Sequence, residues 1–173
     1  VIVSGTIGNH GIAVMSERHG LRFAPPVETD SAPLNLLTRV IISEHSAIKM
    51  MRDPTRGGVA TTLKEIALQS GYDIEINEDS LPIPKGVYGA CELLGIDPLY
   101  VANEGILIAI VSDKISESII SLMRANPLGK NAQIIGEIKE KTTNRKPKVI
   151  LNTSIGGKRI IDMLTGEQLT RIC

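Results

Sequence analysis

Ala47-Ile48-Lys49-Met50-Met51-Arg52-Asp53-Pro54-Thr55-Arg56-Gly57-Gly58 is the stretch on which the fold turns. Six residues of strand character run into a turn bearing Pro and Gly. The turn opens a helix whose apolar positions Val59, Leu63, Ile66 and Ala67 recur at helical spacing. Gly71 stops that helix, because glycine past the last apolar turn takes the left-handed conformation at least cost. Tyr72-Asp73-Ile74-Glu75-Ile76-Asn77 then alternates apolar and polar, as a strand buried on one face does. Strand, turn, helix and strand in succession predict a layered α/β arrangement.

The alternation continues outward from this unit. Val1-Ile2-Val3-Ser4-Gly5 reads as the end of a strand, followed by the glycine-rich turn Gly8-Asn9-His10-Gly11 and a short helix closed by Gly20. Residues 22–31 form an irregular connection, and Asp30 or Ser31 is expected to cap a helix with Leu34, Leu37, Val40 and Ile41 on one face. Beyond Asn77, Pro82 and Pro84 introduce a helix through Val87, Cys91 and Leu94 that stops at Gly95. The unbroken apolar run 106–111 predicts a central strand, and Asp113 is expected to cap a helix carrying Ile115, Ile119, Leu122 and Met123. Residues 132–138 and 149–151 read as two strands of a hairpin joined by the basic loop 139–148. The expected fold class is thus α/β or α+β, a layered mixed β-sheet with packed helices over residues 1–164. Residues 165–173 are expected to be a mobile C-terminal tail. A strand at Val1 with neither an initiator Met nor a turn before it implies a chain cut from a longer protein.

Composition narrows the partners. Nineteen Lys and Arg balance nineteen Asp and Glu, so no basic field draws in nucleic acid or an acidic membrane surface. One Phe, three Tyr and no Trp leave no base-stacking platform and require an aliphatic core. No apolar run approaches the ~20 residues of a membrane span. Two cysteines without a signal peptide fit a reducing, cytoplasmic compartment.

Few residues can carry chemistry. In Asp53-Pro54-Thr55-Arg56-Gly57-Gly58 the Gly-Gly turn leaves N–H groups at the positive end of a helix dipole, with Arg56 as a fixed cation beside them. That suits a phosphate or a carboxylate; the plainer reading is a tight strand-to-helix turn capped by Asp or Thr. Glu104, between Asn103 and Gly105 and just before the most apolar strand, is expected to be partly buried and able to act as a general base. The alternative is a turn residue that bonds its own backbone. His10 either touches an anion or caps its helix, and Asn103 is a further candidate for cofactor contact. His10, His19 and His45 have no ligand spacing, so no metal is expected. Cys91 reads as a small core residue, whereas Cys173, the last residue, is a thiol placed where no core can use it.

Together Gly8-Asn9-His10-Gly11, the 53–58 loop, Glu92-Leu93-Leu94-Gly95-Ile96-Asp97-Pro98, Ala102-Asn103-Glu104-Gly105 and the terminal Arg171-Ile172-Cys173 resemble the hydrogenase expression/formation HypE family. The match is to the C-terminal domain that this family shares with aminoimidazole ribonucleotide synthetase and selenophosphate synthetase. The resemblance implies cyanide-ligand synthesis for [NiFe]-hydrogenase by a carbamoyl dehydratase. The partner HypF carbamoylates the terminal thiol, here Cys173, and ATP activates the carbamoyl oxygen. Loss of phosphate and of the nitrogen's protons leaves a thiocyanate, whose cyanide passes to iron on a HypC–HypD complex. It also implies a homodimer of the full-length protein, and an N-terminal domain, absent from this chain, that holds most of the ATP and Mg²⁺ site. Cys173 would be the carrier, Glu104 the base, and Asp53, Thr55, Arg56, Gly57 and Gly58 the phosphate loop. Thr170 stands where the family has Pro before Arg-Ile-Cys, which loosens the arm without removing its thiol. Rival readings are another ATP-dependent synthetase of the same superfamily and a non-catalytic docking module.

Overall fold

The computed structural model describes residues 1–44 and 47–164; His45 and the tail bearing Cys173 lie outside them. Two four-stranded sheets enclose one helix. The first contains β1 (Ile2–Val3), β2 (Ile48–Arg52), β4 (Ile108–Val111) and β5 (Gln133–Ile134) in the order β2-β4-β1-β5, every pair antiparallel. The second contains β3 (Tyr72–Asn77), β6 (Gly136–Lys141), β7 (Val149–Asn152) and β8 (Lys158–Ile161) in the order β6-β3-β7-β8. It is mixed, since β3 runs parallel to β7 and antiparallel to β6.

Between the sheets lies α3 (Gly58–Ser70), the helix anticipated after the Gly-Gly turn. Its Val59, Leu63, Ile66 and Ala67 share a core with Val3 and Ile108 of the first sheet and with Ile74, Ile76, Val149, Leu151 and Ile161 of the second. Burial of Leu63 alone is worth roughly 2 kcal/mol. The other face of the first sheet is covered by α2 (Asn35–Glu44) and α5 (Ser116–Arg124), through Leu37, Ile41, Ile119, Ile120 and Met123. A strand covered on both faces needs no polar positions, so β4 is apolar throughout. A third cluster joins α1 (Asn9–His19) to α4 (Lys85–Leu94) through Ile12, Met15, Val87, Ala90 and Cys91.

Several expectations need correction. Residues 132–138 are not one strand: Ile135 donates to Val1 O and accepts from Asn77 N, so the chain crosses between sheets there. No hairpin joins 132–138 to 149–151, because β3 inserts between β6 and β7 and pairs with both. The β8 strand had no counterpart in the sequence reading. Asp30 and Ser31 do not cap α2, which begins at Asn35, and Val40 is 36% exposed. Asp113 begins a 3₁₀ turn, one residue beyond which α5 starts.

Candidate functional site

Asn103 is the structural centre of the site. It is fully buried, and its Oδ1 accepts from Gly8 N at 2.7 Å while Nδ2 donates to Pro54 O at 3.1 Å and Val101 O at 3.0 Å. Its own N–H donates to Pro54 O, and Gly11 N to Ala102 O. One amide side chain thus ties the Gly8–Gly11 turn and the 53–58 loop to the segment before β4. With its oxygen and amide nitrogen both engaged inside the protein, Asn103 acts by positioning the loops around it.

In the 53–58 loop Asp53 and Arg56 are exposed, Thr55 and Gly57 half-buried and Gly58 buried. Gly57 and Gly58 both have positive φ, 71° and 62°. A Cβ on Gly58 would lie 2.4 Å from Leu99 O and 2.6 Å from Val101 O, so only glycine lets the loop pack on the 98–100 turn. No side chain caps α3, and Arg56 has no ion-pair partner among the described residues. An uncapped helix start beside an unpaired guanidinium can receive phosphate oxygens. A side-chain cap by Asp53 or Thr55, the plainer reading of the loop, is absent.

Glu104 is half-buried, as expected. Its N–H and that of Gly105 donate to the two oxygens of Asp30 at 3.3 and 3.2 Å. A Cβ on Gly105 would fall 1.6 Å from Asp30 O, so the 103–105 turn is pressed against the 28–31 segment. That segment is also held by Asn9 Nδ2, which donates to Glu28 O, and by His10, whose Nδ1 shares a hydrogen bond with Thr29 Oγ1 at 2.9 Å. His10 therefore ties a loop across the start of α1. Asn9 Oδ1 is buried without a partner among the described residues, an acceptor suited to an incoming N–H group.

The structure thus assembles Gly8–Gly11, the 53–58 loop and the 103–105 turn, which the sequence separates by some fifty residues each. Sequence reasoning missed Asp30 and Thr29. An acid in a proline-rich connection carries no signal of which distant backbone it will meet. Cys91 is 2% exposed, and burial pushes its thiol up to about 11, so it is a core residue. A separate cleft of about 690 Å³, lined by Glu78, Tyr88, Cys91, Glu92, Asp97 and Arg159 among others, holds no residue of the 8–11, 53–58 or 103–105 segments. Among the described residues no cluster of His, Cys, Asp and Glu could hold a metal ion, and no helix is long and apolar enough to cross a membrane.

Two interleaved sheets around α3, with glycine loops gathered at one end, define the domain class. The chain belongs to the AIR synthase related protein C-terminal domain family, whose model matches residues 1–146. Over its whole length it is 48% identical to carbamoyl dehydratase HypE of Bradyrhizobium diazoefficiens and 44% identical to that of Cupriavidus necator. It covers 49% and 48% of those relatives, so the chain spans about half the length of the proteins it matches. A solved structure of hydrogenase maturation protein HypE superposes with a TM-score of 0.93 at 43% identity, covering 99% of this chain and 55% of that one. HypE in complex with ATP gives 0.92 at 41%, covering 99% and 52%, and a HypE–HypF complex gives 0.87 at 45%, covering 94% and 52%.

Proposed function

We propose that this chain is the C-terminal half of an ATP-dependent carbamoyl dehydratase that makes the cyanide ligands of [NiFe]-hydrogenase in the cytoplasm. The observation that carries the reading is the Asn103 junction, which gathers the 53–58 loop and the turn bearing the half-buried Glu104 at one place. Similarity at 48% identity over the full chain to carbamoyl dehydratase HypE supports it. On this reading Cys173 carries a carbamoyl group received from HypF. Arg56 and the N–H groups at the start of α3 hold phosphate oxygens, with Asp53 and Thr55 flanking them. The residues fit that role, since the guanidinium is unpaired and the helix start lacks a side-chain cap. ATP, held with Mg²⁺ mainly by an N-terminal domain, supplies the phosphoryl group that makes the carbamoyl oxygen a leaving group.

Phosphoryl transfer to the carbamoyl oxygen releases ADP and the first N–H proton, and breakage of the C–O bond then releases inorganic phosphate and takes the second proton from nitrogen, leaving sulfur-bound C≡N. Glu104 is the base for these protons, and Asp30 fixes its backbone by accepting from residues 104 and 105. Asn9 Oδ1 accepts one of these N–H groups while the carbamoyl waits. Cyanide then passes to iron on a HypC–HypD complex, and the full-length enzyme is a homodimer. The test is incubation of the full-length protein with HypF, carbamoyl phosphate and ATP, followed by intact-protein mass. Cys173 should gain a carbamoyl group and then lose one water, and Cys173→Ala should abolish both changes. An unmodified Cys173 would overturn the reading and favour a docking module, whereas ATP turnover that survives Cys173→Ala would favour another synthetase.

A further inference from the structure

The root of the C-terminal arm is held by an unusual set of contacts. Ile161 ends β8 fully buried in the core beneath α3. At the next residue the Tyr100 hydroxyl donates to Asp162 O at 2.7 Å, and Lys64 Nζ lies 3.4 Å from Asp162 Oδ1. Asp162 Oδ1 also accepts from Met163 N at 2.9 Å. Lys64 itself is only 7% exposed, on the helix enclosed by the sheets, and its other partner is Pro147 O at 3.2 Å. A buried ammonium is expensive unless it is paired, so its placement beneath Asp162 calls for an explanation. A strand end needs neither a phenol nor a lysine to stop.

Tyr100 supplies that explanation through its neighbours. It lies in the 98–100 turn whose flanking carbonyls, those of Leu99 and Val101, press on Gly58. The turn that supports the anion loop on one side therefore grips the arm on the other. Burial holds the Tyr100 proton more tightly, which keeps the phenol a donor throughout the neutral range. Lys64 follows Gly58 by six residues, about 9 Å of helix rise. Residues 165–173 can extend ~30 Å, so a thiol launched from Asp162 has ample length to reach the loop.

We propose that Tyr100, Lys64 and Asp162 form the anchor of the carrier arm, fixing its origin relative to the 53–58 loop so that the modified thiol returns to the site. The inference rests on the reading of Cys173 as carrier. These are positioning residues, which touch no reacting atom. Loss of the anchor slows the step that needs the arm to come home, the ATP-dependent loss of water. The step in which HypF engages the free end is left alone.

Tyr100→Phe and Lys64→Met in the full-length protein test this, with urea unfolding to confirm that each variant folds; if Lys64→Met does not, Tyr100→Phe carries the test. Hydrogen exchange of the peptide covering 158–164 should rise in both. Water loss from the carbamoylated Cys173, followed by intact mass, should slow about fivefold, the rate equivalent of one neutral hydrogen bond. Carbamoyl transfer should keep its wild-type rate. Faster exchange with unchanged water loss, or equal slowing of both steps, would overturn the anchor. Absence of water loss from wild-type protein would instead refute the functional reading, and the exchange data alone would still decide whether the contacts hold the arm.

Discussion

Replacement of Asn103 probes the junction most directly. Asn103→Ala removes the three side-chain hydrogen bonds to Gly8 N, Pro54 O and Val101 O. Pro54 O keeps the Asn103 N–H, so two buried groups, Gly8 N–H and Val101 C=O, lose the bonds Asn103 gave them. Each costs about 1–3 kcal/mol when unsatisfied, giving roughly 4 kcal/mol in all, a large part of the ~5–15 kcal/mol that keeps a domain folded. With a urea slope of about 2 kcal/mol/M, the midpoint should fall by ~2 M. Asn103→Asp separates packing from hydrogen bonding, because it keeps the acceptor for Gly8 but turns a second oxygen toward two carbonyls. At a fully buried position its carboxyl must be raised above the ordinary ~4. The destabilisation is then full at neutral pH and eases as pH falls through the raised value, when the protonated acid again offers a donor. The Asp variant should therefore approach wild type as pH falls from neutral through the raised value toward ~4. The Ala variant should stay a constant distance below. An Ala variant within ~1 kcal/mol of wild type, or an Asp variant whose deficit ignores pH, would refute this account of the junction.

Two further outcomes follow from the same geometry. Gly58→Ala and Gly95→Ala both place a side chain at positive φ, 62° and 67°, but only at Gly58 does the added carbon meet backbone oxygens, so thermal unfolding should show a loss of about 1 kcal/mol at Gly95 and at least ~3 kcal/mol at Gly58. Asp73, 7% exposed, is held below the usual carboxylate range first by its Arg145 hydrogen bond, with Lys148 N adding a bond of 2.8 Å. Its contribution is present above pH ~4 and lost as pH falls through the depressed value, so Asp73→Asn should weaken the protein at pH 7 and flatten its acid unfolding below pH ~4 in a denaturant-against-pH series.

What the sequence made legible were local features with a period or a stop signal. The helix after Gly57-Gly58, the β3 alternation and the glycine stops at Gly20, Gly71 and Gly95 were all visible, because propensity and burial pull the same way there. Pairing was not. The parallel match of Ile74 with Val149 and the antiparallel match of Ile74 with Ile138 depend on closing long loops, and the hairpin inferred from proximity lost to them. The candidate site divides along the same line. Glycines and charges in the 53–58 loop declared themselves as types, while Asp30, Tyr100, Lys64 and Asp162 carry no signal of their partners until the fold sets Asp30 against the 104–105 turn and Tyr100 and Lys64 against Asp162.

On the proposed reading, the placement of β8 decides how the carrier arm works. By pairing antiparallel with β7 at the edge of the second sheet, β8 delivers Asp162 beside α3, whose own first turn is the proposed phosphate cradle. Origin and target are thus fixed to one helix, about 9 Å of rise apart, against ~30 Å of available chain. On that reading the carrier is not limited by reach. Its cost is orientational entropy, which a fixed origin reduces at one end and a proline reduces along the chain. Where, as the resemblance implies, proline is the family's residue at position 170, Thr170 forgoes that second reduction, worth about 0.4–1 kcal/mol. On the proposed reading, more of the return to the site therefore falls to the Tyr100 and Lys64 contacts. Thr170→Pro should accordingly lessen the slowing caused by Tyr100→Phe in the water-loss assay, and a double variant as slow as Tyr100→Phe alone would show that the two ends of the arm are not coupled.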